Sequence, residues 1–171
     1  WTDGAVVDAH AYAGLTYDYF FKRHGRRGLD NANVPIHSIT HALRREDWRL
    51  YTSQTIGTYF VNAFYLGDGV MYYGDGLPPG LSWGSLKHNY YAGALDIVAH
   101  ELCHGVTDYS SQLIYWSDSG ALNEAFSDIM AASVEFYFQP DRADYLIGED
   151  VATSGGFRSM QNPMSYGHPD H

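Results

Sequence analysis

Apolar residues recur along this chain with two periods, and the switches between them mark out its elements. From Val6 to His24, the positions Val6, Ala9, Ala13, Tyr17 and Phe20 step by three or four, which predicts a long helix with one apolar stripe. Lys22-Arg23-His24-Gly25 closes it, since cations and a glycine both suit a helix C-terminus. Val34 to His41 alternates loosely, and Pro35 fits the start or edge of a strand. Thr58 to Leu66 is rich in β-formers, and Val70-Met71-Tyr72-Tyr73 follows Gly67-Asp68-Gly69, so the two predict a hairpin with Asp75-Gly76 as the next turn. Leu77 to Tyr91 reads as irregular surface loop. Helical spacing returns from Gly93 to Asp108 through Leu95, Val98, Ala99 and Leu102, and Asn123 to Tyr137 predicts another helix after a connection over Tyr109 to Ser119. Thr153 to His171, with Gly155-Gly156, Pro163 and Pro169, reads as irregular.

These elements predict an α+β domain: a mixed or antiparallel sheet packed on the helix over Gly93 to Asp108, with the next helix beside it. The expected division is a sheet-rich part over about residues 1–91 and a helical part over 92–171. At 171 residues the chain can bury one substantial core.

The chemistry lies on the central helix, where His100-Glu101-Leu102-Cys103-His104 places two imidazoles four residues apart. On a helix they are about 40° apart in angle and about 6 Å apart in rise, so both can reach one zinc ion. Glu101 can then address a water on that metal without ligating it, the arrangement for metal-assisted hydrolysis. With nine His in the chain, about 0.01 such motifs are expected by chance, so the motif alone is suggestive. A third ligand is needed downstream, and Glu124 in Asn123-Glu124-Ala125-Phe126-Ser127-Asp128 is the candidate. Asp128, one turn on, can accept the second ring N–H of a zinc histidine and hold its orientation.

Charge narrows the classes. The formal net charge is −10, concentrated after residue 50, which argues against a nucleic-acid partner and suits cation binding. No apolar run approaches the roughly 20 residues of a membrane span, and no secretory leader is visible, so the chain is expected to begin as a mature or cut form. Cys103 is the only cysteine and reads as a small buried hydrophobe on the side of the helix turned from the metal.

His100-Glu101-x-x-His104 followed by Asp118-Ser119-Gly120-Ala121-Leu122-Asn123-Glu124-Ala125-Phe126-Ser127-Asp128 resembles the thermolysin-like zinc metallopeptidases. The likeness runs from about Val7 to the last residue and includes Asp75-Gly76 and Gly148-Glu149-Asp150. It implies a secreted endopeptidase acting on peptide or protein substrates. Tyr115 then matches an oxyanion-binding tyrosine and Arg158 an arginine that grips a substrate carbonyl. Asn62 and Ala63 match the edge strand that holds substrate backbone. Ile97, Ile147, Val151 and Phe157 match the primary pocket, implying a bulky apolar residue after the scissile bond. The resemblance also implies calcium, with Asp96, Glu135 and Asp144 as ligands, Glu149 a further one, and Leu146 able to offer only its carbonyl, as in one-calcium members. Thr153-Ser154-Gly155-Gly156 is short for a peripheral calcium loop. The family's helical C-terminal domain, with its catalytic histidine, finds no counterpart; His168 and His171 match an internal stretch instead. A second polypeptide carrying that half is therefore expected. The rival readings are a non-catalytic zinc-stabilised peptide-binding module, which the intact Glu101 disfavours, and a hydrolase of another bond.

Overall fold

The computed structural model describes residues 2–153 and 155–169, so Ser154 of the short loop and His171 lie outside the described residues. Helix α1 spans Gly4–His24. The Asp3 carboxylate accepts from the Val6 N–H at its start, and Gly25 ends it in the left-handed region at φ 66°. Ala5, Ala9, Ala13, Thr16, Tyr19 and Phe20 form its buried face, leaving Val6 and Tyr17 at the margin.

Three short strands follow: β1 (His37–Ile39), β2 (Ala63–Gly67) and β3 (Val70–Tyr73). Asp68 and Gly69 between β2 and β3 have φ 49° and 78°, the paired left-handed conformation that matches the twist of a two-residue hairpin. The sheet order is β1-β3-β2, with β1 parallel and β2 antiparallel to β3, so β2 is an edge strand. The sheet is thus mixed, and β2 packs on the central helix α3 (Leu95–Asp108).

One expected strand is partly a helix. Thr58 and Tyr59 belong to α2 (Ser53–Tyr59), which Thr52 caps by accepting from the Thr55 N–H at 3.1 Å. Ile56 and Phe60, four apart, bury together against Leu77, and that helical spacing outweighs the β-preference of Tyr59-Phe60-Val61. Leu77 to Tyr91 also differs from expectation: it is irregular, but Leu77, His88 and Tyr91 are buried.

Helix α3 is buried from Leu95 through Cys103, with Cys103 inaccessible in the core. Helix α4 spans Ser117–Phe138, six residues longer at its start than the sequence pattern indicates. His104 near the end of α3 meets Asn123 near the start of α4, so the two run antiparallel. A two-stranded pair, β4 (Leu146–Ile147) with β5 (Arg158–Ser159), lies in the tail read as irregular and sets Arg158 opposite Ile147. Among the described residues, no helix is long and apolar enough to cross a membrane.

Candidate metal centre and substrate cleft

A cleft of about 1010 Å³ runs between edge strand β2 on one side and α3, α4 and β5 on the other. Asn62 and Ala63 lie along it, as do His100, Glu101, His104, Tyr115, Glu124 and Arg158. The fold therefore gathers into one concavity residues that are up to about a hundred positions apart in sequence.

His100, His104 and Glu124 each offer one ligand atom, and these atoms lie within 4.8 Å of one another. The two Nε2 atoms are 2.9 Å apart, and each lies 3.3 Å from a Glu124 oxygen. A tetrahedral zinc with bonds of roughly 2.0–2.1 Å would require ligand atoms about 3.3 Å apart. The partners of the other ring nitrogens point the same way. Nδ1 of His100 forms an ion-pair contact at 2.7 Å with Asp128 Oδ1, off the line of a hydrogen bond, and Nδ1 of His104 lies 2.9 Å from Asn123 Oδ1. Both oxygens are acceptors, so each Nδ1 carries the hydrogen and each Nε2 is left with a lone pair. Two lone pairs facing each other at 2.9 Å call for a proton or a cation between them. The donor set fits zinc.

Without a metal, protons take up part of that demand. Burial pulls the His100 pKa down, but Asp128 and Glu124 outweigh it and raise the group to about 10. Burial likewise opposes ionisation of Glu124, yet its contacts with His100 and His104 hold it far below the ordinary carboxylate range. Glu101, 7 % exposed, is pushed upward by burial, against the pull of His100 and His104.

Asp128 has a second partner. Its two oxygens accept from Nε and Nη2 of Arg158 at 2.8 and 2.7 Å, a bidentate pair that fixes the guanidinium beside the cleft. Tyr115 donates its hydroxyl to Glu124 Oε1, which places the phenol at the rim of the metal centre. The connection before α4 is held by Ser119 Oγ, which donates to the carbonyls of Ile114 and Trp116. Of the four residues matched to the primary pocket, Ile97, Ile147 and Phe157 line the cleft, while Val151 belongs to the core behind it.

A second group of metal-competent residues differs from the one the resemblance suggests. Glu135, Glu149 and Asp150 bring carboxylate oxygens within 4.8 Å of one another. Asp150 is new to the set. Asp96 lies outside it and accepts from the backbone N–H groups of Ile97 at 2.7 Å and Gly148 at 2.5 Å. Asp144 accepts from the N–H of Leu146, which is itself paired in β4. Glu135 Oε2 and Glu149 Oε2 are buried with no hydrogen-bond partner. Burial first, then the surrounding carboxylates, raise Glu135 to about 8 and Glu149 to about 7. An all-oxygen group with orphaned buried atoms fits a hard cation such as calcium.

Sequence reading missed Asn123 and Ser127 as partners of His104, Asp150, and the buried pair His88 and Tyr91 in the cleft wall. Asn123 and Ser127 flank Glu124 at helical spacing and were open to inference. His88 stands alone in an irregular stretch and carried no local signal.

A family model described as "Thermolysin metallopeptidase, catalytic domain" matches residues 1–108. The chain belongs to the thermolysin family of metallopeptidases. A second model, "Thermolysin metallopeptidase, alpha-helical domain", matches residues 111–171. The chain is 42% identical over 178 residues to bacillolysin of Bacillus caldolyticus, covering 99% of this chain and 28% of that protein. The same identity and coverage relate it to thermolysin of Alicyclobacillus acidocaldarius subsp. acidocaldarius. Among solved structures, the precursor of protealysin, a metalloproteinase from Serratia proteamaculans, superposes with a TM-score of 0.73 at 34% identity, covering 93% of this chain and 45% of that one. The chain thus spans less than a third of the length of the thermolysin and bacillolysin relatives named here.

Proposed function

We propose that this chain carries the catalytic centre of a secreted zinc endopeptidase. The observation that supports this most strongly is the spacing of His100 Nε2, His104 Nε2 and a Glu124 carboxylate, close to the edge of a zinc tetrahedron, with buried Glu101 on the same cleft wall. Zinc held there would supply Lewis acidity toward a water and a peptide carbonyl.

The protein's own residues supply the rest. Glu101 takes the proton of the attacking water and passes it to the departing nitrogen. Its upward-shifted pKa suits both halves of that task. Tyr115, whose hydroxyl is donated to Glu124 in the absence of substrate, turns it to the oxygen where negative charge develops, and Arg158 grips a substrate carbonyl. Edge strand β2 offers unpaired backbone groups along the cleft, so an extended substrate can add to the sheet beside Asn62 and Ala63. Ile97, Ile147 and Phe157 receive the bulky side chain after the scissile bond. Calcium at Glu135, Glu149 and Asp150 supports the fold and takes no part in the chemistry.

Ile114, Tyr115 and Trp116 are 76%, 67% and 78% exposed on the rim. Such contiguous apolar exposure supports a further polypeptide covering that side of the cleft. The direct test of the whole reading is metal analysis combined with hydrolysis of a peptide library. One zinc per chain and zinc-dependent cleavage are expected; zinc binding without cleavage by any preparation, partnered or alone, would favour the peptide-binding module.

A further inference from the structure

Building on the peptidase reading, we propose that the pocket receiving the residue after the scissile bond selects tyrosine over phenylalanine, with His88 as the residue that reads the phenolic hydroxyl. The argument begins with three rings. His88, Tyr91 and Phe157 all line the cleft, and their planes lie within 6°, 7° and 11° of one another. The three centroid distances are 6.0, 5.6 and 5.8 Å. A column of three rings would make one distance about twice the others. Near-equal distances require a triangle, so the rings form a staggered plate with Ile97 and Ile147 nearby in the cleft wall. A flat plate of this kind receives a planar side chain in offset contact better than a branched one.

The hydrogen positions follow from the partners. Tyr91 Oη lies 2.7 Å from the Val61 carbonyl, which can only accept, so the phenolic hydrogen is committed there. His88 Nδ1 lies 2.9 Å from the same Tyr91 oxygen and must therefore be the donor. Burial lowers the His88 pKa and favours the neutral ring, against the Trp83 carbonyl, which favours the charged one; Nε2 completes no hydrogen bond. A neutral ring with its hydrogen on Nδ1 has a lone pair on Nε2. That atom is buried without a partner, in a residue only 7% exposed. His88, a residue of the cleft wall, thus carries an unsatisfied acceptor beside a plate shaped for a ring. A ligand ring bearing an O–H at its tip satisfies it, and a bare phenyl ring leaves it unpaired.

The test uses matched ligands first and variants second. Tyrosyl-alanine amide and phenylalanyl-alanine amide, which mimic the product on the leaving side, are titrated into the zinc-loaded chain by calorimetry. The tyrosyl ligand should bind about tenfold more tightly, and peptides differing only at that position should show the same ratio in kcat/KM. Equal affinity for the two ligands would overturn the proposal without needing any variant. His88→Phe keeps the ring plate and removes the acceptor, so the ratio should fall to about one. His88→Gln keeps an acceptor and should retain part of it. Zinc content and melting temperature establish that each variant is folded. An undiminished tyrosine preference in a folded His88→Phe chain would also overturn the assignment. The two readings separate cleanly. Cleavage without discrimination defeats the pocket inference and leaves the peptidase reading standing. Selective binding without cleavage of any peptide supports the pocket and defeats the peptidase.

Discussion

Along one stretch of the α3–α4 pair, His100 and His104 stand against Glu124 and Asp128; along another, Asp96, Glu135, Glu149 and Asp150 crowd one another. Both groups contain buried charge, and the donor set of each fits a cation. In the first, opposite charges compensate even with no metal: His100 rises to about 10 while Glu124 and Asp128 are driven down. In the second, burial first and then neighbours of the same sign push Asp96, Glu135 and Glu149 up to about 6, 8 and 7. The comparison separates two uses of a metal. Removing zinc should cost chemistry while the protein keeps its fold, whereas removing calcium should cost the fold while the chemistry per folded molecule survives.

The largest effect should come from Glu101→Gln. The amide cannot take a proton from water, so turnover should fall by about 10²–10⁴ while one zinc per chain is retained. Melting should shift little, because the change neutralises a buried group already pushed toward its neutral form. A large loss of stability in this variant would blur the division between the two groups.

Next in size is calcium depletion with zinc replenished. Melting should fall by several degrees near pH 8 and recover with added calcium as mass action requires, since only the folded chain assembles the site. A calcium-independent melting curve would remove the acidic group from the account.

The pH dependence sharpens the same point. Glu135 and Glu149 hold their protons in the folded state to about pH 8 and 7, but release them near pH 4.5 when unfolded. The folded chain therefore binds more protons between these limits, and its stability without calcium should decline from about pH 4.5 to 8. Saturating calcium should flatten that slope. Glu135→Gln removes one of the repelling charges; near pH 8 it should stabilise the calcium-free form by about 1 kcal/mol, roughly 2–4 °C, and abolish the calcium response.

The smallest effect concerns His41, which joins Asp75 at 2.9 Å and Asp3 at 3.0 Å and so repeats the opposite-charge solution with no metal. Burial lowers its pKa, but the two carboxylates outweigh it and raise the group above 6.5. The stability it contributes is fully present below pH 6.5 and is lost as pH rises through the raised value. His41→Gln should therefore cost a few tenths of a kcal/mol at pH 6 and almost nothing at pH 9, because the pair is half-exposed.

How legible each feature was depended on how local its cause is. His100, Glu101 and His104 are one helical turn, so their shared face follows from spacing alone, and the hairpin over residues 63–73 is written in its turn. Glu124 followed from the need for a third ligand downstream of the motif, whereas Tyr115 and Arg158 were linked to it only by resemblance to a family. The strand expected at Thr58 failed because its β-forming residues bury in a satellite core at helical spacing, a tertiary effect. Asp150 escaped notice for a similar reason: which of many acids converge depends on how the 139–150 segment folds back on α4. His88 was invisible, since its character comes from two rings and a carbonyl contributed by other parts of the chain.

Asp128 touches both His100 and Arg158, so neither can change its demands without the other being affected. Loss of Asp128 would leave an unpaired, partly buried guanidinium and an untethered imidazole at once, and a double-mutant cycle between Asp128 and Arg158 should be strongly non-additive. For a lineage, this makes the three positions a unit of inheritance. Across relatives, a neutral residue at 128 should almost never coexist with arginine at 158, and drift at either site should have to pass through a paired replacement.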